Sequence, residues 1–114
     1  MSYDFEKNQR DTAAAMADPQ VGDRFHDMYS FWVFVVDVGT ESVTTYEASG
    51  HPSEMPDIGG KLRIFTTRDE FRASYRYGSI PGYYVRLADR GTDVSGWVRR
   101  VTDSSLSVFP EEKP

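Results

Sequence analysis

The chain has no cysteine and only two histidines in 114 residues. That excludes disulfides, thiolate metal sites and a cysteine nucleophile, and it fits a reducing compartment. Its longest apolar run, "FWVFVV" at Phe31 to Val36, is far short of the about 20 residues that span a bilayer. The amino end, "MSYDFEKNQRDTAAAMADPQ", is polar and lacks the apolar core of a secretion signal. A cytoplasmic protein is the expectation.

Signatures of catalysis are also lacking. "ASGHPS" and "VSGW" do not have the glycine spacing of a nucleophile elbow, and "IGGKLR" leads into a strand where a phosphate loop needs a helix. Acid and base work would fall to carboxylates, of which no pair stands out. In "HPSEMPD", His51, Glu54 and Asp57 recur every third residue, but two prolines break any regular geometry a metal would need. The expectation is a non-enzyme with no metal and no cofactor.

What the chain does have is aromatic bulk and segregated charge. Apolar residues make up 39% and aromatics 14%, with seven Tyr, seven Phe and two Trp, enough large rings to build one core in a chain of this length. The net charge of −5 is unevenly placed: residues 1–60 hold three bases against eleven acids, and residues 61–114 hold ten against seven. Such asymmetry marks interaction surfaces unless folding interleaves the halves.

Along the chain, residues 1–18 read as an N-terminal arm. "AAAMA" favours a short helix capped by Asp11 or Thr12 and ended by Pro19, with too few large apolar residues to dock tightly. Residues 19–110 read as one β-rich domain, and 111–114 as a polar tail. "VGDRFHDM" enters through a Gly22-Asp23 turn. The strongest strand is Tyr29 to Val38, with Phe31, Val33 and Val35 on one face and Trp32, Phe34, Val36 and Val38 on the other, so it is central and buried on both sides. "GTES" turns it into the strand "SVTTYEA", with Val38 leading in and Val43 leading out. Residues 49–60 form a long loop, of a length that often carries function.

After the strand "KLRIF", the stretch "TTRDEFRASYRYG" has Thr67 and Glu70 at capping-box spacing and Gly78 as a left-handed stop, which predicts a helix of about 67–77. "YYVRLA", "SGWVRRV" and "SLSVF" then read as a closing meander of three strands. The sum is mainly β within the α+β class: a small SH3-like barrel, or a strongly curved antiparallel sheet of about six strands, with one packed helix and a possible second in front.

Two binding surfaces suggest themselves. Arg68, Arg72 and Arg76 lie along one edge of the predicted helix, and with Arg86 and Arg99 they suit phosphate contact beside stacking rings. "YRYGSIPGYY" sets Tyr75, Tyr77, Tyr83 and Tyr84 around a turn, and tyrosine is favoured at protein interfaces. The acids of the first half, Asp18, Asp23, Asp27, Asp37, Glu41, Glu47, Glu54 and Asp57, suit a face that meets a basic partner. An overall acidic chain favours a protein partner; nucleic acid, bound through the 61–100 segment, is the alternative.

The runs "VGDRFHDMYSFWVFVVDVG", "VTTYEASG", "FRASYRYGS" and "GYYVRLADRGTDVSGW" resemble short accessory proteins of bacteriophages that infect actinobacteria, over about residues 19 to 98. The resemblance implies an accessory phage product that binds a host or phage macromolecule in the host cytoplasm. It carries no site residue.

Overall fold

The computed structural model describes residues 5–26, 31–50, 55–75, 83–105 and 107–110. Helix α1 (Phe5–Ala17) precedes strands β1 (Asp23–His26), β2 (Phe31–Val38), β3 (Val43–Ser49) and β4 (Lys61–Phe65). Helix α2 (Arg68–Ser74), strand β5 (Tyr83–Arg86), one turn of 3-10 helix (Leu87–Arg90), helix α3 (Val94–Ser104) and strand β6 (Ser107–Pro110) complete the chain. The strands form one sheet in the order β5-β1-β2-β3-β4-β6. Five are antiparallel neighbours, and β6 joins β4 in parallel. The sheet is open, with β5 and β6 at its opposite edges, so the closed barrel expected as one alternative does not form.

Strand β2 is the reason for the layers. Trp32, Val33, Phe34, Val35 and Val36 are consecutive and all buried, so side chains alternating to both faces are apolar on both. On the first face Val33 and Val35 pack with Phe25, Val43, Phe65, Phe71, Tyr75 and Ala15, beneath α1 and α2. On the second face Trp32, Phe34 and Val36 pack with Tyr46, Val85, Leu87 and Val101, beneath α3. Each large side chain so buried contributes about 1.5–3 kcal/mol, and neither face of β2 could be left wet. The result is three layers, helix on sheet on helix.

The hairpin forms as the sequence indicates: Val38 pairs with Val43, and Gly39 N donates to Ser42 O at 2.9 Å. The register slips between Val35 and Asp37. This bulge puts Val38 with the first core cluster, and not with Trp32 as strict alternation would have it. Asp37, displaced by the bulge, is exposed.

Both predicted helices form, with changed limits. Helix α1 starts at Phe5 rather than at Asp11 or Thr12, and it is docked rather than loose: Ala15 is buried in the first core and Met16 packs against it. In α2, Thr67 accepts from Glu70 N at 3.1 Å, while the Glu70 carboxylate accepts from Thr66 N at 3.0 Å and Thr66 Oγ1 at 2.9 Å. The capping box closes one residue earlier than its standard form. The helix stops at Ser74 with Tyr75 as its C-cap; Gly78, proposed as the stop, lies outside the described residues.

The closing meander is corrected. Only Tyr83–Arg86 and Ser107–Pro110 are strands, and the run "SGWVRRV" is helical, within α3. Val94, Trp97, Val98 and Val101 recur with the three- and four-residue spacing of a helix and all pack on the second face. Asp93 caps α3 by accepting from Gly96 N at 3.1 Å, and a β-carbon on Gly96 would overlap that carboxylate. The glycine that looked like a strand residue is what lets the cap close.

Candidate functional site

Two buried carboxylates anchor the first face of the sheet. Asp23, at the start of β1, is fully buried. It accepts from Arg86 Nε at 2.9 Å and Nη2 at 3.3 Å, from Tyr84 OH at 3.0 Å and from Gln20 N at 3.0 Å. Four donors on one carboxylate satisfy it, and a two-point guanidinium contact fixes its orientation. The group ties edge strand β5 to β1 and to the turn leaving α1. The Arg86 pKa is raised above its ordinary value by the hydrogen bonds to Asp23. That of Tyr84 is raised first by burial and then by the Asp23 charge.

The second carboxylate, Glu47 on β3, is 8% exposed. Tyr75 OH donates to it, and Thr45 Oγ1 lies at 3.5 Å. Arg63 Nε stands 3.4 Å away, within ion-pair range but not aligned as a hydrogen bond. Burial raises the Tyr75 pKa, with the Glu47 charge next. Both tyrosines edge onto the same aromatic core, Tyr84 on Phe25 and Tyr75 on Phe65 and Phe71. The sheet face thus carries two ties of carboxylate, tyrosine and arginine, flanking a ring cluster.

The opposite face holds a different polar group. Arg24 and His26 on β1 are 3% and 2% exposed, and Trp32 beside them is 0% exposed. The Arg24 guanidinium carbon lies 4.2 Å from the centre of the Trp32 ring, and His26 meets that ring edge-on. His26 Nε2 is 3.4 Å from Gly50 O. The adjoining loop is held by a buried tyrosine: Tyr46 OH donates to Asp57 O at 2.5 Å and accepts from Gly60 N at 2.8 Å. Gly60 has no room for a side chain, since a β-carbon there would sit 2.7 Å from Tyr46 Cζ. The clasp leaves Ile58 64% exposed at the loop tip.

At the other end of the sheet, Thr40, Glu41, Thr67, Arg68 and Asp69 line a cleft of about 350 Å³. Arg68 Nη2 is 3.5 Å from Gly39 O and Nη1 is 3.7 Å from Asp18. This fastens α2 to the turn between β2 and β3 and to the residue after α1. Asp37, Glu41, Asp69, Glu70 and Asp18 are exposed around this end.

Those of the residues proposed for binding that are described do not form one surface. Arg68 lies in the cleft, Arg72 pairs with Asp69 in its own helix, and Tyr84 and Arg86 are engaged inside the Asp23 tie. Arg99 is exposed on α3, across the sheet from α2. Tyr83 lies on β5, paired with His26; Arg76 and Tyr77 are outside the described residues. Of the acids grouped as one face, Asp23 and Glu47 are buried on the first sheet face, and Asp27 and Glu54 are outside the described residues. Asp69 and Glu70, from the basic half, join Asp18, Asp37 and Glu41. The interior roles of Asp23 and Glu47 went unrecognised in the sequence, although Val43, Thr45 and Glu47 share one phase of β3, all buried on the first face.

Among the described residues no helix is long and apolar enough to cross a membrane, and no group of three His, Asp or Glu side chains is placed to hold a metal. A scan against protein-family models finds no match, and searches of curated proteins and of solved structures find none either.

Replacing Asp23 by Asn keeps the shape but removes the charge facing Arg86. Because Arg86 is itself 32% exposed, the expected loss is about 2 kcal/mol rather than the full cost of a dry pair. Asp11→Asn, at the exposed Lys7–Asp11 pair, should change stability by under about 0.5 kcal/mol. Urea midpoints of the two variants give the comparison, and equal shifts would contradict it.

The tyrosines set an alkaline limit. Their folded pKa values lie above the ordinary value of 10.0, so the neutral phenols favour the fold fully below about pH 10, and that contribution is lost as pH rises beyond it. The melting temperature should fall above about pH 10, and the phenolate absorbance of Tyr75 and Tyr84 should appear only with unfolding. Its full appearance in a folded chain, judged against Tyr75→Phe and Tyr84→Phe, would contradict the raised values.

Proposed function

We propose that the protein is a small non-enzymatic interaction module that binds a basic segment of a protein partner at the cleft end of its sheet. The observation that carries this is that Glu41 and Asp69 line the cleft with Thr40, Thr67 and Arg68, that Asp18 stands 3.7 Å from Arg68, and that Asp37 and Glu70 are exposed on the adjoining β2 and α2. They come from the residue after α1, from β2, from the β2–β3 turn and from α2, so the fold assembles what the sequence disperses. Arg68 and Arg72 offset only part of this charge. A lysine or arginine entering the cleft meets carboxylates and two threonine hydroxyls on a frame that need not reorganise.

Nucleic-acid binding through residues 61–100 draws less support. Arg63, Arg68, Arg72 and Arg86 each face a carboxylate of this chain, and Arg99 and Arg100 stand on the opposite layer. Phosphate binding gains from cations that are collected and uncommitted. An accessory phage product acting on a host or phage protein in the host cytoplasm is the setting in which this reading places the chain.

The test is capture from lysate by wild type and by the double variant Glu41→Lys, Asp69→Lys, both checked for an unchanged melting temperature. A basic protein retained by wild type at low salt, released as ionic strength rises and lost from the variant, is the expected result. The same protein retained equally by both would overturn the assignment of the cleft end. Tyr84 is unsuitable as a surface probe, because its truncation would break the Asp23 tie.

A further inference from the structure

We propose, resting on the reading of the cleft end as a site for a basic segment, that Arg68 holds from within the chain the seat that an arginine of the partner takes. Binding there then selects arginine and requires Arg68 to swing out. The Arg68 guanidinium spans two elements: Nη2 is 3.5 Å from Gly39 O in the β2–β3 turn, and Nη1 is 3.7 Å from Asp18 after α1. Two acceptors reached by two nitrogens of one group have the spacing of a planar fork, which the single nitrogen of an ammonium does not match. The chain thus displays the shape of the group its cleft accepts.

The present occupant is loosely held. Nε of Arg68 is buried and has no hydrogen-bond partner among the described residues. The contact to Gly39 O is longer than the roughly 2.7–3.2 Å of an ordinary N–H···O bond, and Asp18 is 74% exposed, which leaves that ion pair in solvent, where it contributes little. Moving the side chain into water gives Nε a partner and forfeits two weak contacts. Two other lining groups are engaged within α2 and its cap: Thr67 accepts from Glu70 N at 3.1 Å, and Asp69 from Arg72. The backbone frame stays in place while one side chain moves.

The space fits one such exchange. A cleft of about 350 Å³ has the volume of roughly a dozen waters, enough for one long side chain with its hydration. Arg68 is the cation of the lining set, and while it stays it lowers the attraction of Glu41 and Asp69 for a second cation. A partner's arginine that takes over Gly39 O and Asp18 meets those carboxylates without that repulsion.

The experiment titrates acetylated, amidated tetra-arginine or tetra-lysine into the ¹⁵N-labelled full chain at low ionic strength and reads the amide shifts of Thr40 and Glu41. Wild type is compared with Arg68→Gln and with Arg99→Gln, which removes the same charge from the exposed side of α3 on the opposite layer. Arg68→Gln should bind tetra-arginine roughly fivefold tighter than wild type and gain less for tetra-lysine, while Arg99→Gln should match wild type. If wild type binds and Arg68→Gln binds no tighter, gains no more for arginine than for lysine, or gains no more than Arg99→Gln, the role of Arg68 is overturned and the basic-segment reading stands. No shift of Thr40 or Glu41 with either peptide in any of the three chains overturns both. Should Arg68→Gln fail to fold, wild type decides: the Arg68 Nε–H resonance, sheltered from solvent in the free chain, should exchange faster with water as tetra-arginine saturates the cleft, and unchanged exchange at saturation overturns the proposal.

Discussion

Everything in the structure depends on a strand that cannot face water on either side. Trp32 to Val36 are buried without a break, so the sheet needs a cover on each face. One cover comes from α1 and α2, the other from α3 and the turn of 3-10 helix before it. A chain of this length has just enough helix for both tasks. Small departures in the sequence serve this end. The bulge after Val35 returns Val38 to the first core, and Gly96 lets Asp93 start α3 at the point where its apolar stripe meets the second.

Having spent its helices on covering β2, the fold handles its polar interior by pairing. Asp23 and Glu47 lie on inward-facing positions and would be costly if unmatched. Each is met by a tyrosine and an arginine, and in each case the partners come from different elements. The Asp23 tie also acts at the sheet edge: β5 is fastened by it from one side, while Tyr84 N is met by Asn8 Oδ1 of α1 at 3.1 Å from the other. An edge strand with its outward amide occupied is a poor template for further pairing. Arg63 and Arg86 are used in meeting the interior carboxylates, which leaves the carboxylates at the cleft end as the assembled charge on the described surface.

Much of the frame was legible where the signal is local. The two-faced β2, the turn "GTES" with Val38 and Val43 flanking it, and the Thr67–Glu70 cap each rest on residues within a few positions of one another. Helix α3 was also written locally, in Val94, Trp97, Val98 and Val101 behind Asp93. Its valines favour strand and its glycine disfavours helix by propensity, and these preferences masked the helical period until burial of the stripe decided it. The site was less legible for a different reason. Asp23 and Arg86 are 63 residues apart, and Glu47 and Tyr75 are 28 apart. No spacing rule links such residues, and single-residue chemistry makes each look like surface charge. Arg68 illustrates the converse: its place on α2 was legible, but the partners that engage it, Gly39 O and Asp18, come from elsewhere in the fold.

The dependence of the whole on β2 is tested most directly by native-state hydrogen exchange. The amides of Val33, Phe34 and Val35 should exchange only through global unfolding, with the highest protection in the chain, and edge strands β5 and β6 should open at lower free energy. Amides of β2 that exchange through a smaller opening than those of β5 or β6, while α1 and α3 stay protected, would contradict a sheet organised around its doubly covered central strand.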